Sequence, residues 1–562
     1  MRERDTVAGH LAATLADLGV GHVFGVGGAN IEDITAAVAR HPALTGVLAK
    51  HEFAAVAMAD GCARTGNRLG VVVATSGGGA LNLLAGLAEA HAARVPVLAL
   101  VGQPPTGQEG RGAFQDTSGK AGSPDARRVF AAVTRFCARV DDPAALGPAL
   151  AGAVAAARRG GPAALLLPKD VQCAVVEAPR GCPPPGPPDS DGGRTRARVR
   201  ALVARVRAAG GEVLVIAGDG VARADARAEL ARLVDRLDAS VAVAPDARDV
   251  FDNHDPRFVG VVGVMGHPAV RGHAERAALC LLVGTRLPLV ARAGIEDALA
   301  GVPLVCFDRA EPFVGPCHRL TGDLRSELAL LTASLTDAGA APRTRQPPVP
   351  LPAPLPVPPH PGRGTSYSDA VAAIASALPD DADVFVDAGN TGAGAIHHLP
   401  APRHGRFVVA LGMGGMGHSF GAAIGAAFAR GRRCYAIAGD GAFFMHGMEV
   451  HTAVEHHLPV TFIVFDNNAH GMCLTREELF LDGVDTGNRF RRSHLGAGMA
   501  AMFPGLDARH VDTAADLHRA LVEIDAGRAP AFVSIECDAD EIPPFAPFLQ
   551  ELEHDHHGLP AR

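Results

Sequence analysis

Two proline-rich stretches set how this chain can fold. PRGCPPPGPP occupies 179–188, and PPVPLPAPLPVPPHP runs to 361 inside a Pro-rich segment that begins at 342. Such segments favour extended polyproline conformations and act as semi-rigid spacers between folded units. At 562 residues the chain is also too long for one hydrophobic core. Three folded blocks are therefore expected, at 1–178, 190–340 and 364–562, joined by linkers at 179–189 and 341–363.

Each block alternates short apolar runs with amphipathic stretches. In the first, 69–74, 95–101 and 163–167 read as buried strands, and 81–93 as a helix. In the second the strands are 212–217, 279–283 and 304–307; in the third they are 384–387, 406–411, 435–438 and 461–465. Strands alternating with helices imply right-handed crossovers and parallel sheets. The expected fold class is α/β, with three consecutive parallel-sheet domains. Many activities share that architecture, so function has to be read from sites.

The net charge of -8 argues against general nucleic-acid affinity. The first five residues, MRERD, lack the apolar core of a signal peptide. The longest apolar runs fall well short of the roughly 20 residues of a membrane span. Ten cysteines are scattered without CxxC or zinc spacing, which reads as reduced thiols in a cytoplasm.

The informative stretch is Gly439-Asp440-Gly441, followed one strand–helix–strand unit later by Asn467-Asn468. Adjacent parallel strands bring their C-terminal ends together, and ligands bind there. Asp440 and Asn468 both offer oxygen to one hard cation, and magnesium takes about six oxygens, several from phosphate or water. Gly441 allows backbone to approach phosphates, and the helix after it offers N-terminal amides. A Gly-Asp-Gly by itself is weak: Gly218-Asp219-Gly220 also follows a strand, has no Asn pair after it, and reads as structural. Upstream, GMGGMG at 412–417 formally matches a dinucleotide fingerprint, but no acidic residue follows in the usual place. In the first block Glu52 opens an Ala-rich helical stretch, where a glutamate is ordinarily a favourable charge at the helix dipole.

The neighbours of these residues carry a resemblance. KHE at 50–52, ADGCAR at 59–64 and ATSGGGALN at 74–82 run in one register. FGVGG at 24–28, AFQ at 113–115, PKDVQ at 168–172, DAGNTG at 387–392 and GMGGMG at 412–417 accompany the GDG and NN pair. Together they resemble the thiamine-diphosphate-dependent enzymes, in the acetohydroxyacid (acetolactate) synthase-like and benzoylformate decarboxylase-like branch. The resemblance implies a pyrimidine-binding, a central Rossmann-like and a diphosphate-binding domain. It implies that Asp440, Asn468 and the backbone carbonyl of His470 bind Mg2+. Met416 then supports the bent cofactor, and the Gly414 carbonyl accepts from its 4'-amino group. Asn390, Thr391, Gly441 and Ala442 lie at the diphosphate, and Gly25, Thr75, Asn82 and Met472 elsewhere along the cofactor. By the same resemblance, Glu52 is expected to be the catalytic acid that protonates a pyrimidine nitrogen, and Gln115 to hydrogen-bond a reacting oxygen.

Cys62 stands where the family usually has Tyr, Gly27 and Gly78 where it has Pro, and the loop after Asn468 is shorter than in the synthases. These departures leave cofactor chemistry intact and put the substrate in doubt. The implied reaction decarboxylates a pyruvate-like 2-keto acid and passes the acyl carbanion to a second carbonyl. Simple decarboxylation to an aldehyde is the alternative; a non-catalytic protein keeping the fold is another, which retention of Glu52 argues against. FAD is not expected, because GTRLP at 284–288 replaces the arginine- and aspartate-rich segment that synthases carry near the flavin. The family geometry implies a homodimer or dimer of dimers with the site between chains. The Gly/Ala-rich helix at 419–429 would pack at that interface or act as an ordinary core helix. His397-His398 is expected on a solvated helix face, and 541–548 either covers the site or forms a surface tail.

Overall fold

The computed structural model describes residues 6–176, 192–208, 210–335, 351–360 and 362–557. The first linker, and the second up to residue 350, lie outside them. Three six-stranded sheets form, and every strand pair in them is parallel. The first holds β1 (His22–Val26), β2 (Thr45–Leu48), β3 (Gly70–Ala74), β4 (Val97–Gln103), β5 (Phe136–Arg139) and β6 (Ala163–Pro168), in the order β2-β1-β3-β4-β6-β5. The second holds β7 (Glu212–Ala217), β8 (Ser240–Val243), β9 (Phe258–Val261), β10 (Ala277–Val283), β11 (Leu304–Phe307) and β12 (Cys317–Leu320), in the order β12-β11-β10-β7-β8-β9. The third holds β13 (Asp383–Val386), β14 (Phe407–Val409), β15 (Cys434–Gly439), β16 (Val460–Asp466), β17 (Asp507–Val511) and β18 (Ala531–Glu536), in the order β14-β13-β15-β16-β18-β17. The outer two sheets share one topology. The middle one has the strand order of a dinucleotide-binding fold.

Central strands such as β3, β4 and β16 are buried at every position, as sheets covered by helices on both faces require. These are the runs visible in the sequence. Edge strands β2, β5 and β17 are only partly buried, so their sequences carry no unbroken apolar run.

The first and third domains meet through helices Glu52–Gly66 and His418–Arg430. Their backbones approach so closely that a Cβ on Gly61 would stand 2.0 Å from the Ala422 carbonyl oxygen, and one on Gly425 1.9 Å from that of Met58. The Gly/Ala-rich helix therefore packs inside the chain, against the helix that Glu52 opens.

A buried ion network fixes all three domains. Arg406 of the third donates to Asp249 (2.6 Å) and Asp219 (2.7 Å) of the second and to the Arg64 carbonyl of the first. Arg64 in turn pairs with Asp60 at 2.6 Å. Asp219, the acid of the second Gly-Asp-Gly, thus has the structural role expected of it. His397 departs from expectation. It is 1% exposed, its ring meets the Met265 carbonyl, its Nε2 accepts from Leu355 N, and it stacks on His267. It is a contact between the second and third domains, not a solvated face. Among the described residues no helix is long and apolar enough to cross a membrane.

Candidate active site

β15 ends at Gly439, and Asp440 opens helix Asp440–His446; β16 ends at Asp466, just before Asn467 and Asn468. Gly439 pairs opposite Phe465, so neighbouring strands deliver the two motif halves to one edge of the sheet. Asp440 is buried, with Oδ1 accepting from Gly441 N at 2.9 Å and Oδ2 left without a partner. Burial and the neighbouring Asp466 carboxylate push its pKa up to about 7, against the amides of Gly441, Asn468 and Ala469. A buried carboxylate oxygen without a partner is costly, and a bound cation would satisfy it. Asn468 sits in the left-handed region at φ 55, where asparagine is tolerated. Its Oδ1 accepts from Ser493 N at 3.1 Å, and the His470 carbonyl accepts from Leu474 N at 3.0 Å. Each oxygen keeps a second lone pair, so the set suits a hard cation such as magnesium.

The glycine loop at 412–417 is pinned from β13. Asp387, the residue after that strand, accepts from Gly417 N at 2.8 Å and Ser419 N at 3.0 Å. Gly414 adopts φ 66, with no atom within 4 Å of its vacant Cβ position. Met416 reaches Gly441: a Cβ on Gly441 would lie 3.3 Å from Met416 Cε and 2.6 Å from His470 Nδ1. A Cβ at 441 would force the His470 ring to shift, which fits a glycine at that place in the motif. Ala442 is buried directly after it, and Met472 is half-buried on the first turn of helix Gly471–Phe480.

Asn390 and Thr391 open helix Asn390–His398 and are both buried. Asn390 Nδ2 donates to Thr475 Oγ1, while its Oδ1 has no partner. Thr391 Oγ1 lies 3.5 Å from the vacant Cβ position of Gly439. A helix N-terminus beside two unsatisfied buried oxygens and a row of glycines forms a cradle that fits a diphosphate with its cation.

The first domain supplies the other half. His51 Nδ1 caps the Glu52–Gly66 helix by accepting from Phe53 N. The Glu52 carboxylate is buried and accepts from Asn82 Nδ2 at 2.9 Å. Its Oε1 also lies 2.9 Å from the vacant Cβ position of Gly79. Thr75 Oγ1 donates to Gln115 Oε1 at 3.3 Å, and Gln115 holds φ 58 against Gly77. Glu52, Asn82, Thr75 and Gln115 thus form one cluster. Gly25 does not join it: a Cβ there would lie 2.2 Å from the Val73 carbonyl, so sheet packing explains that glycine. Among the described residues the Glu52 carboxylate hydrogen-bonds to nothing in the third domain.

Sequence reasoning missed two residues. Asp387 stood inside a quoted motif at a strand end, a signal that was available. Tyr367 had none: its phenol accepts from Asn467 Nδ2 at 3.3 Å and also faces Asn390. Its backbone N–H is held by Glu541, which is buried, as is Phe548, so the segment at 541–548 is anchored and not a surface tail.

Three parts of the chain match the thiamine pyrophosphate enzymes. Residues 5–121 match their N-terminal TPP binding domain, 199–315 their central domain and 387–535 their C-terminal TPP binding domain, together more than half of the chain. The chain is 27% identical to the acetolactate synthase isozyme 1 large subunit of Escherichia coli, over 96% of this chain and 95% of the relative. It is 28% identical to a probable acetolactate synthase large subunit of Methanocaldococcus jannaschii, over 90% and 87%. It is also 28% identical to the sulfoacetaldehyde acetyltransferase of Castellaniella defragrans, over 82% and 80%.

Proposed function

The chain belongs to the thiamine pyrophosphate enzymes, and from that premise we propose that it decarboxylates a pyruvate-like 2-keto acid and transfers the acyl carbanion to a second carbonyl, using thiamine diphosphate and Mg2+. The observation that carries this reading is the partnerless buried oxygen of Asp440 beside Asn468, in a chain that also holds a buried Glu52 on Asn82. The resemblance of the whole chain to acetolactate synthase large subunits supports ligation over plain decarboxylation.

Thiamine diphosphate, when bound, supplies a nucleophilic carbon and an electron sink for decarboxylation. Asp440, Asn468 Oδ1 and the His470 carbonyl hold the magnesium. Asn390 and Thr391 would hold the diphosphate beside Gly441, whose N–H is given to Asp440 Oδ1, and Met416 would support the cofactor. Glu52 holds a proton at a pyrimidine nitrogen, and Asn82 keeps that carboxyl oriented. Gln115, aligned by Thr75, orients a substrate oxygen.

The two clusters belong to different domains, and large apolar side chains stand exposed around them: Leu48 at 53%, Met413 at 59% and Phe444 at 52%. We read this surface as the face covered by a second copy, giving a homodimer whose sites combine Glu52 of one chain with the magnesium residues of the other.

The test is purified protein with magnesium, with and without thiamine diphosphate, offered a panel of 2-keto acids beginning with pyruvate. Cofactor-dependent carbon dioxide release with a coupled product by mass spectrometry supports the reading. An aldehyde product replaces ligation by decarboxylation, and no turnover with any donor overturns both.

A further inference from the structure

Two buried carboxylates outside both clusters make reciprocal contacts between the domains. Glu89 lies on helix Leu84–Ala92, just after Asn82, and is 2% exposed. It accepts from the backbone N–H of Gly412 at 3.1 Å and from that of Met413, the first residues of the glycine loop. A Cβ on Gly412 would lie 2.5 Å from Ala92 Cβ and 3.0 Å from Glu89 Oε1, so that glycine is needed for the helix to reach the loop. Glu449 follows the helix that Asp440 opens, and is also 2% exposed. It accepts from Lys50 N with both oxygens, at 3.2 and 3.0 Å, and the His51 amide faces it as well. Thr452 Oγ1 fixes its Oε1 at 2.6 Å.

Each carboxylate grows from the segment that carries its own cluster and grips the backbone leading into the other. Charge-assisted hydrogen bonds from amides to a desolvated carboxylate are strong and directional. Positional errors near 1 Å at reacting groups are enough to cost large factors in rate. We propose that Glu89 and Glu449 are positioning residues: Glu449 sets the placement of Glu52 through the Lys50–His51 backbone, and Glu89 sets the placement of Gly414 and Met416 through the Gly412–Met413 backbone. This rests on the functional reading of Glu52, Gly414 and Met416 given above.

The test uses the full chain loaded with thiamine diphosphate and Mg2+. The readouts are the rate of hydrogen–deuterium exchange at the cofactor's thiazolium carbon, cofactor affinity and melting temperature. Glu449→Ala slows exchange about tenfold, the loss of a charged hydrogen bond, while the dissociation constant for thiamine diphosphate stays within about threefold. Glu449→Gln keeps one acceptor oxygen and loses less, and it carries the test should the alanine variant not fold. Glu89→Ala raises the dissociation constant about tenfold, because its loop contacts the cofactor directly. Wild-type exchange in folded, cofactor-loaded Glu449→Ala or Glu449→Gln overturns the proposal, as does wild-type affinity in Glu89→Ala. Glu52→Gln, run beside them, separates the two readings: unchanged exchange there removes the assigned role of Glu52, whatever Glu449 does.

Discussion

At the scale of single residues, the candidate site brings together two of the polar atoms that the fold leaves buried without a partner. Most buried polar groups in a folded chain find partners, yet Asp440 Oδ2 and Asn390 Oδ1 have none and sit at the same sheet edge. Asp440→Asn removes the charge that a divalent cation needs while keeping the shape. We expect thiamine diphosphate affinity in the presence of magnesium to fall at least about tenfold, read by titration of intrinsic or cofactor signal. The same change relieves the burial and the repulsion from Asp466 that raise the Asp440 pKa, so stability measured without magnesium should hold or rise. A variant that binds cofactor and magnesium as the wild type does would remove Asp440 from the metal site. Tyr367 acts one step back: Tyr367→Phe deletes the phenol between Asn467 and Asn390. The expected cost is about 1 kcal/mol in cofactor binding, with little change in melting temperature.

At the scale of elements, the site depends on how closely two helices pack. Helices Glu52–Gly66 and His418–Arg430 touch through glycines, and each begins at a segment of the candidate site: Glu52 on one, the loop ending at Gly417 on the other. Small residues permit that approach, since any Cβ would meet carbonyl oxygen. Gly425→Ala is therefore expected to destabilise the chain by about 1–3 kcal/mol through overpacking, despite alanine's better helix propensity. A melting temperature equal to or above wild type would show that the two helices can part without cost. The glycines were visible in the sequence, but which surface they served was not. Periodicity marks a helix face as small and apolar without saying whether its partner is in the same domain, another domain or another chain.

At the scale of the whole molecule, domains are locked by buried charge and by histidines held neutral. Burial, against the Met265 carbonyl and with His398 and Arg248 nearby, lowers the His397 pKa to about 4. The unfolded chain takes up that proton near the ordinary 6.5, so the stability held above that value declines as pH falls from about 6.5 towards 4. His397→Gln, which keeps a donor and an acceptor, should reduce the loss of unfolding free energy between pH 7 and pH 5 by about 2 kcal/mol. An unchanged pH dependence would mean that His397 titrates normally in the folded state. The proposed dimer gives the other test at this scale. Phe444→Asp places a charge on the exposed apolar surface beside Asp440. Mass measured in solution should then shift towards the monomer, with activity recovering as protein concentration rises; a dimer of undiminished strength would place the interface elsewhere.

The sequence by itself determined the three-block α/β organisation, the central strands and the two-part motif at 440 and 468, because each is written locally. Proline-rich composition marks a boundary between blocks, strands covered on both faces need unbroken apolar runs, and the carboxylate at 440 has its glycines next to it in the chain. It could not determine the edge strands β2, β5 and β17, whose half-exposed residues carry no such run, nor that His397 is a domain contact, because burial depends on what packs against a helix from distant sequence. Nor did spacing reveal Glu89, Glu449 or Tyr367. Their partners lie hundreds of residues away for the two glutamates and about one hundred for the tyrosine. Tertiary structure alone decided which backbone amides and side chains those groups meet, since a hydrogen bond between domains has no period in the chain.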